Sequence, residues 1–168
     1  MCRRYSLLLI AGLVVPLLWG CRPRTLFYEF QPVTTEGWCC TDTLRFAPPS
    51  VPEEGGYSLN LVVRFGNRFQ YRDLWMVVEQ RLQEVGAKHR MHYLPHRDTV
   101  HLVLANEEGK WLTPGVVAHE EDAFVGQLHL LETETLEVLV YHIMSEQELQ
   151  GLTEVGIRLD PSTSKVVQ

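Results

Sequence analysis

The stretch Tyr57-Ser58-Leu59-Asn60-Leu61-Val62-Val63-Arg64-Phe65-Gly66 (YSLNLVVRFG, residues 57–66) decides the fold class. Tyr57, Leu59, Leu61, Val63 and Phe65 alternate with Ser58, Asn60, Val62, Arg64 and Gly66. Successive side chains of a strand point to opposite faces, so a period of two gives one apolar face that must meet a core. Thr99 to Ala105 repeats the pattern, as does Leu136 to His142, with Leu136, Val138 and Val140 on one side and Glu137 and Leu139 on the other. Leu26–Phe30, Thr43–Phe46, Leu74–Gln80, Val116–His119, Val125–Leu131 and Glu154–Leu159 complete nine candidate strands.

Turn signals separate them: Ala47-Pro48-Pro49-Ser50, Glu54-Gly55-Gly56, Gly66-Asn67, Leu94-Pro95, Asn106-Glu107-Glu108-Gly109, Thr113-Pro114-Gly115 and Asp160-Pro161. Only Ser145–Gln150 (SEQELQ) reads as helical, with Ser145 as N-cap and Glu148 three residues on, as in a capping box. Many short strands, regular turns and almost no helix predict an all-β fold, a single β-sandwich of jelly-roll type. No repeat or low-complexity block interrupts it.

The start of the chain reads differently. Arg3 and Arg4 precede an uncharged apolar run, Leu7 to Trp19, of 13 residues, too short for the roughly 20 that a membrane-spanning helix needs and suited to a secretory signal peptide. Leu18-Trp19-Gly20-Cys21 resembles the bacterial lipobox, in which a signal peptidase cuts before a cysteine that carries lipid; Trp19 departs from the small residue usual there. The expected organisation is a lipoprotein signal peptide over 1–20, a lipidated tether over 21–24 and a β-sandwich over 25–168, with Cys21 carrying acyl chains such as palmitate. Each buried methylene contributes about 0.8 kcal/mol, and several chains together anchor stably. The tether lacks an acidic run, so the periplasmic face of the outer membrane is the expected location. Without Arg3 and Arg4 the formal charge moves from −6 to −8, and no basic run appears, which argues against nucleic acid and anionic headgroups as partners of the domain.

Four stretches, in order, resemble the gliding-motility lipoprotein GldH family of the Bacteroidota: WCCTDTLRF (Trp38–Phe46), YSLNLVVRFGNRFQYRDLWMVVE (Tyr57–Glu79), DTVHLVLANEEGKWLTPG (Asp98–Gly115) and YHIMSEQELQGLTEVGIRLD (Tyr141–Asp160). The chain departs from the family at Asp73, where asparagine is usual, and at Ser145, where the family has arginine after its methionine. The resemblance implies an envelope lipoprotein associated with gliding motility and, through that machinery, with type IX secretion, with envelope proteins of that machinery as partners. It assigns Asp98, Gly109, Trp111, Gly151, Gly156 and Arg158 to motif positions, read as turn and folding residues, with Gly109 supplying a positive-φ turn.

Candidates for chemistry are weak. Cys39 and Cys40 are read as two small, half-buried strand residues; a strained adjacent disulfide or zinc ligation are the alternatives. His89, His92, His96 and His101 match no structural-zinc spacing and are read as a polar hairpin. His119-Glu120-Glu121-Asp122 reads as a loop without the spacing of a calcium site. Ser58 and Ser145 lack a nucleophile elbow, and Glu132 and Glu134 fall in a turn. No catalytic residue, cofactor or metal is assigned, and the expected mode of action is protein–protein interaction. The rival class is a glycan-binding lipoprotein module using Trp38, Trp75 and Trp111. Coplanar exposed tryptophans would favour it, whereas buried ones favour a protein partner; Trp38 and Trp111 are read as packing residues and Trp75 as part of an apolar strand.

Overall fold

The computed structural model describes residues 25–84, 95–115 and 117–162. The signal peptide, Cys21, His89 and His92 lie outside the described residues. The described chain forms β1 (Phe27–Pro32), β2 (Trp38–Cys39), β3 (Leu44–Phe46), β4 (Gly55–Gly66), β5 (Asp73–Glu84), β6 (His96–Val103), β7 (Ala118–Leu130), β8 (Glu134–His142), β9 (Glu148–Leu149) and β10 (Leu152–Pro161). One sheet has the order β1-β10-β4-β7, the other β3-β8-β5-β6, and every pairing is antiparallel. With the two-residue β2–β9 ladder set aside, the first long strand lies beside the last and the second beside the second-last, which is the jelly-roll order expected from the sequence.

Between the sheets lie the alternating residues of 57–66: Leu59, Leu61, Val63 and Phe65 are all fully buried. They meet Leu74, Met76 and Val78 of β5, Val138 and Val140 of β8, and Val155, Ile157 and Leu159 of β10. Val62 was expected on the polar face and is also fully buried. It sits beside Gly156 on the outer face, where the Phe30 ring and the Arg64 guanidinium lie down over the sheet, 3.7 Å apart.

Three expectations need correction. Ser145–Gln150 is not helical: Glu148 and Leu149 form β9, pair with Trp38–Cys39, and Leu149 is buried in the core. Six residues cannot nucleate a helix against that packing. His119–Asp122 is not a loop but part of β7, one strand where two were expected. Glu120 and Asp122 reach outward to Arg64 and Arg158 at 2.7 and 2.8 Å, His119 turns inward to stack on Phe65, and a bulge at Val125 absorbs the change of register. Cys40 is exposed, whereas only Cys39 is half-buried; both are free thiols.

Candidate interaction surface at the loop end of the sandwich

The antiparallel order gives the sandwich two distinct ends. β1, β4, β6 and β8 finish at the same end, where β3, β5, β7 and β10 begin. This end carries the connections 33–43, 67–72, 104–117 and 143–151. All four stretches that resemble the family converge here, although up to about a hundred residues separate them in sequence. The opposite end carries the start of β1.

Backbone hydrogen bonds stitch the loops together. Gly66 N–H donates to Gly151 O at 2.9 Å, Cys40 N–H to Gln147 O at 2.8 Å, Leu104 N–H to Arg72 O at 2.7 Å and Ile143 N–H to Trp75 O at 3.0 Å. Gly109 has φ 79° and closes a tight turn in which Asn106 Oδ1 accepts from Glu108 N–H and Lys110 N–H at 3.1 and 2.8 Å. Gly151 has φ 91°, and a Cβ there would lie 2.2 Å from Phe69 N. The Met144 Sδ accepts the Trp75 N–H at 3.4 Å.

Under the loops is an aromatic cluster. Phe65 lies 5.0 Å from Trp111, 5.3 Å from His119 and 5.6 Å from Phe69. Trp38 is buried, meets His142 edge-on at 5.2 Å, and its carbonyl accepts the His142 Nε2–H at 3.0 Å. His142 Nδ1 is buried without a partner, and burial holds this imidazole below its ordinary pKa. Trp38 and Trp111 are therefore packing residues, as expected. Trp75 is not: it is 42% exposed on the outer face of β5, with the His101 ring stacked on it at 4.0 Å and His101 Nε2 donating to Asp73 Oδ1 at 2.7 Å.

Outside, this end mixes exposed polar loops with exposed apolar side chains. Among the described residues, seven large apolar side chains are exposed. Five of them, Trp75, Val103, Leu112, Val117 and Ile143, lie at or beside this end. A groove of about 470 Å³ runs beside Val117 and is lined by Val33, Leu152, the backbones of Gly66 and Gly151, and Arg68. Arg68 and Lys110 make no ion pair among the described residues, whereas Arg45, Arg64, Arg72, Arg81, Arg97 and Arg158 all do. Nothing in the sequence marks Leu112, Ile143 or Arg68 as surface contacts, since each sits in a turn or just past a strand end without periodicity, and Val117 reads only as part of the candidate strand Val116–His119.

The other motif residues serve the frame. Asp98 accepts from Gln80 Nε2 at 2.7 Å and faces His96 at 3.2 Å. Gly156 lies under the Phe30 ring, whose nearest carbon would be 2.6 Å from a Cβ there. Arg158 pairs with Asp122 and Asp160. No group of three or more His, Cys, Asp or Glu residues converges as a metal site among the described residues.

A family model described as GldH lipoprotein matches residues 25–159. No curated protein matches the chain. Among solved structures, a protein from Sulfurospirillum deleyianum is similar over 82% of this chain and 99% of its own, at 7% identity and a TM-score of 0.47. The endo-1,4-beta-D-xylanase 10B of Clostridium thermocellum, in its CBM22-1–GH10 modules complexed with xylohexaose, is similar over 88% of this chain and 30% of its own, at 9% identity and TM-score 0.38. Likenesses this low carry no argument about function. The family match covers most of the chain, and the chain belongs to the GldH lipoprotein family.

Proposed function

We propose that this member of the GldH lipoprotein family, a gliding-motility-associated, lipid-anchored protein of the cell envelope, is an accessory component that holds a partner protein of the gliding or type IX secretion machinery against the loop end of its sandwich. The carrying observation is the concentration of exposed apolar side chains at the end opposite the start of β1. Exposed apolar side chains gathered at one end of a domain mark a contact site more often than ones scattered singly.

Distance gives the arrangement its sense. Lipidation at Cys21 would leave six residues before β1, at most about 20 Å of extended chain. The sandwich extends further by the length of β4, whose 12 residues span about 40 Å. The anchored end then stays at the membrane and the apolar loops stand away from it, in reach of another envelope protein. The periplasmic face of the outer membrane is the setting we assign, and no catalytic step is part of the role. Replacing Cys21 by alanine should abolish fatty-acid labelling and leave an uncleaved precursor.

Glycan binding is the weaker reading. It calls for exposed, coplanar tryptophans, and among Trp38, Trp75 and Trp111 only Trp75 is exposed. The test is cross-linking in intact cells, affinity purification of the tagged lipoprotein and mass spectrometry. Enrichment of gliding or secretion components supports the reading. Recovery of polysaccharide-uptake proteins, or of no protein, overturns it.

A further inference from the structure

The groove beside Val117 differs from the rest of the surface in its charge. Elsewhere the arginines of this acidic domain are held by carboxylates: Arg64 by Glu120 and Glu154, Arg158 by Asp122 and Asp160, Arg97 and Arg81 by Glu79. Arg68 is exposed and makes no such pair among the described residues, although the chain holds 21 acidic residues against 15 basic ones. It lines a mainly apolar groove of about 470 Å³ whose lining also includes Thr35, Asn67 and Thr153, within the size range of small binding pockets. Gly66 and Gly151 add only backbone to the lining, so the groove is unobstructed there. At Gly151 this is enforced, since a Cβ would collide with Phe69 N.

We infer that this groove receives an extended segment of the partner protein in which a large apolar side chain stands within about three residues of an aspartate or glutamate, the apolar group entering between Val33, Leu152 and Val117 and the carboxylate pairing with Arg68. The inference rests on the loop end being the partner-binding face. The domain's net negative charge does not forbid an acidic segment, because charges beyond about 8 Å are screened at physiological ionic strength. What decides is the unpaired guanidinium at the contact. A planar guanidinium matches a carboxylate with two parallel hydrogen bonds, which a lysine does not reproduce.

The experiment places a photoreactive amino acid at position 117 in the groove, at 112 and 143 on the loop end outside it, and at 127 on β7, in the full lipoprotein in intact cells. Captured partner peptides are then sequenced by mass spectrometry. The expected result is one partner segment from position 117 that carries an acidic residue near a large apolar one. Its yield should fall about tenfold or more in Arg68→Glu, as expected for a reversed charge at a partly desolvated contact, and much less in Arg68→Lys. A captured segment without a carboxylate, or a yield that Arg68→Glu leaves unchanged, overturns the inference. Capture from 112 or 143 but not from 117 overturns it while leaving the loop end as the binding face. Capture from none of these three positions removes both.

Discussion

The outer face of the β1-β10-β4-β7 sheet and the loop end of the sandwich treat the same kinds of residue in opposite ways. On the sheet, Arg64 stacks on Phe30, Arg158 lies over Tyr28, and Arg64 and Arg158 each hold two carboxylates. Tyr28 OH donates to Glu120 at 3.3 Å, tying β1 to β7 across the two strands between them. At the loop end, Leu112 and Val117 are 56% and 76% exposed, and among the described residues Arg68 and Lys110 make no ion pair with a carboxylate. The loops are nonetheless fixed from beneath by backbone hydrogen bonds and an aromatic cluster. One region holds its arginines in ion pairs; the other is fixed from beneath yet exposes most of the large apolar side chains that reach solvent and leaves two cations without an ion pair among the described residues, which suits a preorganised binding surface.

The comparison breaks hardest at Gly151. Its replacement by alanine adds strain at φ 91° and sets a Cβ against the Phe69 backbone, so a loss of about 3 kcal/mol or more is expected, measured by urea unfolding of the mature chain. The change alters no exposed apolar residue, yet it should disturb the whole loop end, because Gly151 O accepts from Gly66 N–H. The corresponding change on the closed face, Gly156→Ala, meets a movable ring as well as the Glu29 carbonyl oxygen at 2.9 Å. About 1–3 kcal/mol is expected there, with Phe30 lifted from Arg64. Equal losses at the two positions would mean that the loop end is no more tightly built than the sheet surface.

The frame was legible in the sequence because it rests on repetition. Alternation in 57–66 and 136–142 specified two core strands, and turn residues separated the rest. Short elements without a period were not legible. Ser145 and Glu148 carry a capping pattern that only the pairing of Glu148–Leu149 with Trp38–Cys39 overrides. His119–Asp122 looks like a polar loop until Arg64 and Arg158, far away in the chain, supply partners for its carboxylates. Trp75 fits an apolar strand by type, and only the register shows that it points outward beside His101. Resemblance to the family selected four stretches, but their meeting at one end is a property of the jelly-roll topology. Val117 and Arg68, far apart in sequence, become neighbours only through it.

A smaller effect separates the interior of the loop end from its exterior. Burial, chiefly, holds the His142 imidazole below its ordinary pKa in the folded protein. The unfolded chain binds the proton near its normal value of about 6.5, so below that pH protons favour unfolding and stability falls until the folded pKa is passed. Melting temperature should therefore drop between pH 7.5 and 5.5. His142→Gln, which retains a donor for the Trp38 carbonyl, should flatten that drop; an unchanged slope would show that another group governs it.

The smallest expected effect on stability carries the most weight for function. Leu112 is mostly exposed and sits on a turn, so Leu112→Asp should alter unfolding free energy by no more than about 0.5 kcal/mol. If the loop end is a binding face, the same substitution places a charge where an apolar contact forms and should sharply reduce partner recovery in the cross-linking experiment. Phe124→Asp makes the equivalent change at the edge of the closed face, where the ring is 61% exposed, and should leave recovery intact. The two substitutions are matched in chemistry and in exposure and differ in place. Parallel losses of recovery would show that exposed apolar area anywhere on the domain serves the partner; a loss confined to Leu112 would locate binding at the end where the charges were left unpaired.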